Sequence, residues 1–81
     1  MYLTEKCEEE DYDYYGYDLG GGYVGDMQAC RAYCKKEKAA DGYFTWGKKD
    51  SSNPHCWCKS KGAILNRRPI AGGYISGKVE C

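Results

Sequence analysis

A small α+β domain held together by disulfides is the fold class this sequence predicts, and three observations predict it. Six cysteines are packed into 81 residues. One segment alone, residues 27–40, reads as a helix, and short aromatic or branched runs separated by Gly, Asn and Ser turns surround it. The remaining apolar stock is thin, with one Phe and two Met, while nine Tyr carry much of the hydrophobic fraction. A chain this short buries too little surface to be stable by burial alone, so crosslinks replace the missing core. An even, dense cysteine count belongs to an oxidising compartment, and the chain reads as one secreted domain, residues 1–81, excised from a longer multi-domain protein.

Met1-Tyr2-Leu3-Thr4-Glu5-Lys6 lacks the apolar core of a signal peptide, and no run has the apolar length to span a bilayer, which places an export signal elsewhere and excludes membrane insertion. Formal net charge is zero, yet the charges are sorted: residues 1–18 hold seven acids against Lys6, and residues 31–68 hold ten bases against three acids. Such a basic region can meet sulfated glycans, pair with the acidic end of its own chain, or stay solvated. No nucleic-acid partner is expected.

Tyr alternates with acid through Tyr12 and Tyr14, the pattern of a half-buried strand that Gly20-Gly21-Gly22 then ends in a loop. Asp26 is placed to cap the helix, which runs without Gly or Pro until Gly42, a left-handed stop. Its inward stripe is Met27, Cys30 and Cys34, with Ala or Tyr33 flanking, while Arg31, Lys35, Lys36 and Lys38 face out. Tyr43-Phe44-Thr45-Trp46 reads as a central strand, the polar residues 47–54 as a turn, and His55-Cys56-Trp57-Cys58-Lys59 as the returning arm of a hairpin. Residues 62–66 read as a short strand, Arg67-Arg68-Pro69 as a loop, and residues 74–81 as a final strand bringing Cys81 towards Cys7.

Cys30 and Cys34 lie one helical turn apart, about 6 Å along the axis on one face. Cys56 and Cys58 lie about 6.6 Å apart on one face of a strand. The matched spacings let two neighbouring disulfides fasten helix to strand, leaving Cys7 and Cys81 to close the chain ends. In the loop-entropy account such a closing bridge is worth roughly 4–5 kcal/mol. A zinc site from these cysteines and His55 fits poorly, since His55 and Cys56 point to opposite faces and the spacing is not that of a finger. No metal or other cofactor is therefore expected. Catalysis is not expected either: every cysteine has a plausible partner, and the single histidine has no Ser, Cys and Asp arrangement around it.

Taken in order, Gly16-Tyr17-Asp18-Leu19, Cys30-Arg31-Ala32-Tyr33-Cys34, Tyr43-Phe44-Thr45-Trp46, Cys56-Trp57-Cys58-Lys59-Ser60 and Ile75-Ser76-Gly77 before Cys81 cover almost the whole chain. In this order they resemble the PAN/apple module, and are most similar to the apple arrays of microneme adhesins in apicomplexan parasites of the Eimeria type. The resemblance implies an antiparallel sheet of about five strands cradling one helix. It also implies attachment to a host-cell surface glycan, a protein receptor or a fellow secreted adhesin, and storage in micronemes. The chain departs from the family in lacking a cysteine after the helix, near residues 39–43, for which Cys58 substitutes. Family order implies nested disulfides, Cys7–Cys81, Cys30–Cys58 and Cys34–Cys56. The alternative, from alignment by position, pairs Cys30 with Cys56 and Cys34 with Cys58.

The expected function is a non-catalytic extracellular adhesion module making protein–protein or protein–carbohydrate contacts. Lys48, Lys49, Lys59, Lys61, Arg67 and Arg68 are the candidate contacts for sulfated sugars, and Trp57 for a neutral sugar or a protein. Either of Trp46 and Trp57 can instead be core. A spacer role within an array, or an inhibitory loop at residues 47–54, are the other readings.

Overall fold

The computed structural model describes residues 7–37, 42–48 and 54–80. Among these residues seven strands and one α-helix form an α+β arrangement: β1 Glu8–Glu10, β2 Tyr12–Tyr14, β3 Asp18–Tyr23, α1 Met27–Glu37, β4 Tyr43–Lys48, β5 Pro54–Lys59, β6 Arg67–Pro69 and β7 Ile75–Lys78. Five strands build one antiparallel sheet in the order β1-β7-β4-β5-β3, and β2 pairs with β6 in a separate ribbon. No helix among the described residues is long and apolar enough to cross a membrane.

The helix starts where its cap dictates. The Asp26 carboxylate accepts a 2.8 Å hydrogen bond from the Ala29 N–H, occupying a donor that the first turn leaves unpaired. Residues 38–41 lie outside the described residues, as does the approach to the expected stop at Gly42. Cys30 and Cys34 are fully buried, and Met27 and Tyr33 pack beside them against Phe44, Cys56, Cys58 and Val79. Arg31 departs from the expectation of a solvent-facing base. Its guanidinium lies 5.4 Å from the Phe44 ring centroid, donates to the Lys78 carbonyl and meets Glu8 at 2.6 Å, tying the helix to β7 and β1.

Two disulfides join helix to β5, pairing Cys30 with Cys56 and Cys34 with Cys58. The nested pairing is thereby corrected, and chain direction explains the difference. The helix is followed by β4, β5 reverses β4 antiparallel, and β5 therefore returns in the helix's own direction, so its cysteines meet those of the helix in sequence order. The Cys7–Cys81 bridge includes Cys81 and lies outside the described residues.

Three further expectations are corrected. Gly20-Gly21-Gly22 do not form a loop but continue β3 along β5, Gly21 opposite Trp57 and Gly22 opposite Cys56. Glycine is needed there, because a Cβ on Gly21 would run into the Cys56 carbonyl. Residues 61–66 form a 3-10 helix in place of a strand, with the Ala63 N–H on the Ser60 carbonyl at 3.1 Å and Gly62 seated beneath the Tyr17 ring, where a Cβ has no room. Residues 67–69 form β6 in place of a loop, since β2 supplies its backbone partners and one counter-charge, Asp13 opposite Arg68.

The sheet has two different faces. Phe44, Cys56 and Cys58 face the helix; the intervening Thr45 and Trp57 face away. Over β4 and β7 the outer face is covered by the β2–β6 ribbon, pinned by buried hydroxyls: Thr45 Oγ1 and Ser76 Oγ are 2.6 Å apart, Ser76 donates to the Tyr12 carbonyl, and the Tyr14 N–H approaches Thr45 at 3.4 Å. The outer face of β5 and β3 is not covered in this way.

Candidate functional site

That uncovered strip carries a row of rings. His55 lies 5.2 Å from Tyr23 and 4.4 Å from Trp57, and Trp57 stacks at 6.0 Å and 26° on Tyr74. Alternation on β5 produces the row: Cys56 and Cys58 are turned inward by their disulfides, which obliges His55, Trp57 and Lys59 to project outward. The two tryptophans divide the roles that the sequence left open. Trp46 packs against the core and its indole N–H donates to the Val24 carbonyl at 2.8 Å. Trp57 is half-buried, and among the described residues its indole N–H has no acceptor.

Where the ribbon meets the outer face of β5 there is a groove of about 320 Å³, lined by Asp13, Tyr15, Gly16, Asp18, Trp57, Lys59, Arg68, Ile70 and Tyr74. Lys59 closes it from below. Its side chain is 5% exposed, and its ammonium donates to Asp18 Oδ1 at 2.6 Å and to the Gly16 carbonyl at 3.3 Å. The Gly16 carbonyl is aimed by an unusual backbone: Gly16 and Tyr17 are consecutive left-handed residues, at φ 82° and 57°. Glycine adopts that geometry freely, whereas for tyrosine it costs about 1–2 kcal/mol. Arg68 reaches Asp13 at 3.3 Å and spreads over Tyr15 at 4.4 Å.

No protein-family model, curated protein or solved structure matches this chain.

The seven candidate contact residues do not form one surface. Lys49 and the side chain of Lys48 lie outside the described residues. Lys61 is exposed at the start of the 3-10 helix. Arg67 binds Glu9 through two hydrogen bonds and covers Tyr12 at 4.1 Å. Of the described candidates, Lys59, Arg68 and Trp57 come together in the groove, and both bases already face carboxylates there. Sequence reasoning missed Asp13, Asp18, Tyr15 and Tyr74 as lining residues. For Asp13, Asp18 and Tyr15 the signal available was the acid-and-tyrosine run from Glu8 to Asp18, which read chiefly as strand packing.

A wider depression is lined by Glu8, Glu9, Glu10, Tyr14, Tyr43 and Arg67 among others. Its acids are largely engaged, Glu8 by Arg31 and Glu9 by Arg67 and Tyr14. The Arg67 hydrogen bond holds the Glu9 carboxyl below its usual range, against an opposing effect of burial. Burial, then the hydrogen bond to Glu9, pushes the Tyr14 phenol well above its usual range.

Proposed function

We propose that this chain is a non-catalytic extracellular binding module of the PAN/apple kind, contacting a carbohydrate or protein on a host cell or on a fellow secreted adhesin. The observation that carries the reading is the ring row Tyr23-His55-Trp57-Tyr74 on the uncovered strip of the sheet. Tyr23 is 74% exposed. Half-buried rings with polar edges combine large apolar area with hydrogen-bonding ends, which is why such residues concentrate at contact surfaces. Among the described residues, two disulfides and no free cysteine suit an oxidising compartment and hence secretion. The absence of catalysis is part of the proposal: His55 is packed between rings, without an acid or nucleophile on its imidazole among the described residues.

The reading that the basic residues grip sulfate is weakened by their pairing. Arg31, Lys35, Lys59, Arg67 and Arg68 each face a carboxylate of the same chain. The oxidised domain on a glycan and glycosaminoglycan array at low and high salt tests the proposal. Binding to neutral sugars that survives high salt supports it, and binding to sulfated chains alone, lost with salt, replaces it with the electrostatic alternative.

A further inference from the structure

Resting on that reading, we infer that the groove between the β2–β6 ribbon and β5 is a binding site for one uncharged sugar ring, held by two neighbouring hydroxyls on the Asp18–Lys59 pair with its C–H face against Trp57. The charged side chains lining the groove are two acids and two bases, so it attracts neither a sulfate nor an ammonium group by net charge. Polar recognition of a neutral ligand remains.

The Lys59 ammonium supplies the first contact. It carries three N–H donors, and among the described residues two are taken, by Asp18 and by the Gly16 carbonyl. The third belongs to a residue 4% exposed that lines the groove, and a buried donor without a partner is costly. Asp18 supplies the second. Lys59 engages its Oδ1, and the side chain is 55% exposed, which leaves Oδ2 accessible as an acceptor. An ammonium donor and a carboxylate acceptor side by side match two adjacent hydroxyls, each of which both donates and accepts.

The third contact is apolar. Trp57, stacked at 26° on Tyr74, lines the same groove with it, so the ring pair gives the groove one aromatic side for the C–H face of a pyranose. At about 320 Å³ the groove is at the small end of ligand sites, which suits one ring and not a long chain. Consecutive left-handed residues at Gly16 and Tyr17 fix the carbonyl that holds Lys59, and strain of this kind concentrates at ligand clamps.

The test is a titration of the 15N-labelled oxidised domain with glucose, mannose, galactose, N-acetylglucosamine and N-acetylgalactosamine, at low and high salt. At least one sugar should shift the Trp57 indole N–H together with the Lys59 and Asp18 amides, independently of salt. Lys59→Met should weaken that binding tenfold or more. Asp18→Asn, which keeps an oxygen for Lys59 but removes the carboxylate, should weaken it severalfold. Lys35→Gln on the far helix should change nothing, and a dispersed spectrum of each variant establishes that it is folded. No groove shift with any sugar, shifts confined elsewhere, or folded Lys59 and Asp18 variants that bind as well as the parent all overturn the inference. If those variants still bind the array, the binding-module reading stands while the groove falls; if the parent domain binds no glycan and no protein, both fall.

Discussion

Arg67 holds Glu9 in a two-pronged grip, Nε to Oε2 at 2.7 Å and Nη2 to Oε1 at 2.5 Å, and the same Oε2 accepts the Tyr14 hydroxyl at 2.6 Å. Glu9 is on β1 of the main sheet, Arg67 on β6 of the ribbon, and Tyr14 on β2 beside it. One carboxylate therefore fastens the ribbon to the sheet. The same principle recurs at Glu8 with Arg31, Asp13 with Arg68 and Asp18 with Lys59, so that the acidic start of the chain lies against its basic remainder.

This arrangement sets the pH dependence of stability. The Glu9 carboxyl is held below its unfolded value, so its contribution is complete above that value and is lost as pH falls through the lower, folded one. Glu9→Gln should be less stable at neutral pH and should show a shallower loss of stability in acid. The Tyr14 phenol is raised, so its contribution is complete below the usual tyrosine range, about pH 10, and declines as pH rises towards the folded value. Tyr14→Phe should flatten that alkaline limb while leaving the Arg67–Glu9 pair in place. Urea midpoints measured from pH 3 to 11 read both limbs, and an unchanged acid limb in Glu9→Gln would exclude this carboxylate as the source.

The hydroxyl cluster beneath the ribbon gives a second prediction. Thr45 is 1% exposed, shares a hydrogen bond with Ser76 and receives the Tyr14 N–H. Thr45→Val keeps the shape and deletes the oxygen, leaving a buried N–H and a buried hydroxyl short of a partner. The expected loss is about 1–3 kcal/mol. Chemical denaturation at pH 7 measures it, and a neutral result would show that water replaces the missing oxygen.

Crosslinks carry much of the stability in a core this small. The Cys34–Cys58 bridge spans 24 residues, and the loop-entropy account assigns such a closure about 3 kcal/mol. Replacing both cysteines with Ala should lower stability by about that amount and leave the Cys30–Cys56 bridge intact. Peptide mapping under non-reducing conditions reads the pairing directly. Recovery of Cys30–Cys58 or Cys34–Cys56 peptides from the parent domain would contradict the parallel course of α1 and β5.

Local signals in the sequence located the elements whose cause is local. Asp26 marked the helix start, and Tyr43-Phe44-Thr45-Trp46 with Cys56-Trp57-Cys58 marked the central hairpin, because caps and side-chain alternation are written within a few residues. The missed elements depend on distant partners. Gly20-Gly21-Gly22 read as a chain break until β5 was beside them, and Arg67-Arg68-Pro69 read as a loop until Tyr12-Asp13-Tyr14 paired with it. Cysteine spacing gave the two fastening points of helix on strand. The order of pairing depended on relative chain direction, which spacing does not encode. The groove was hidden for the same reason, since Asp13, Asp18, Lys59 and Tyr74 meet only through tertiary structure.

Charge pairing also predicts how the domain treats sulfated polysaccharides. A strong heparin site needs several bases whose charge is uncompensated, because affinity scales with the counter-ions released and is screened over a Debye length of about 8 Å at physiological salt. Arg67, Arg68 and Lys59 instead face Glu9, Asp13 and Asp18. The parent domain should therefore leave a heparin column at or below about 0.15 M salt. Removing the acids in Glu9→Gln with Asp13→Asn frees Arg67 and Arg68 without adding a base, and elution should move to higher salt. Retention of the parent well beyond physiological salt, unchanged in the double variant, would place a sulfate site on other bases and return the electrostatic reading to first place.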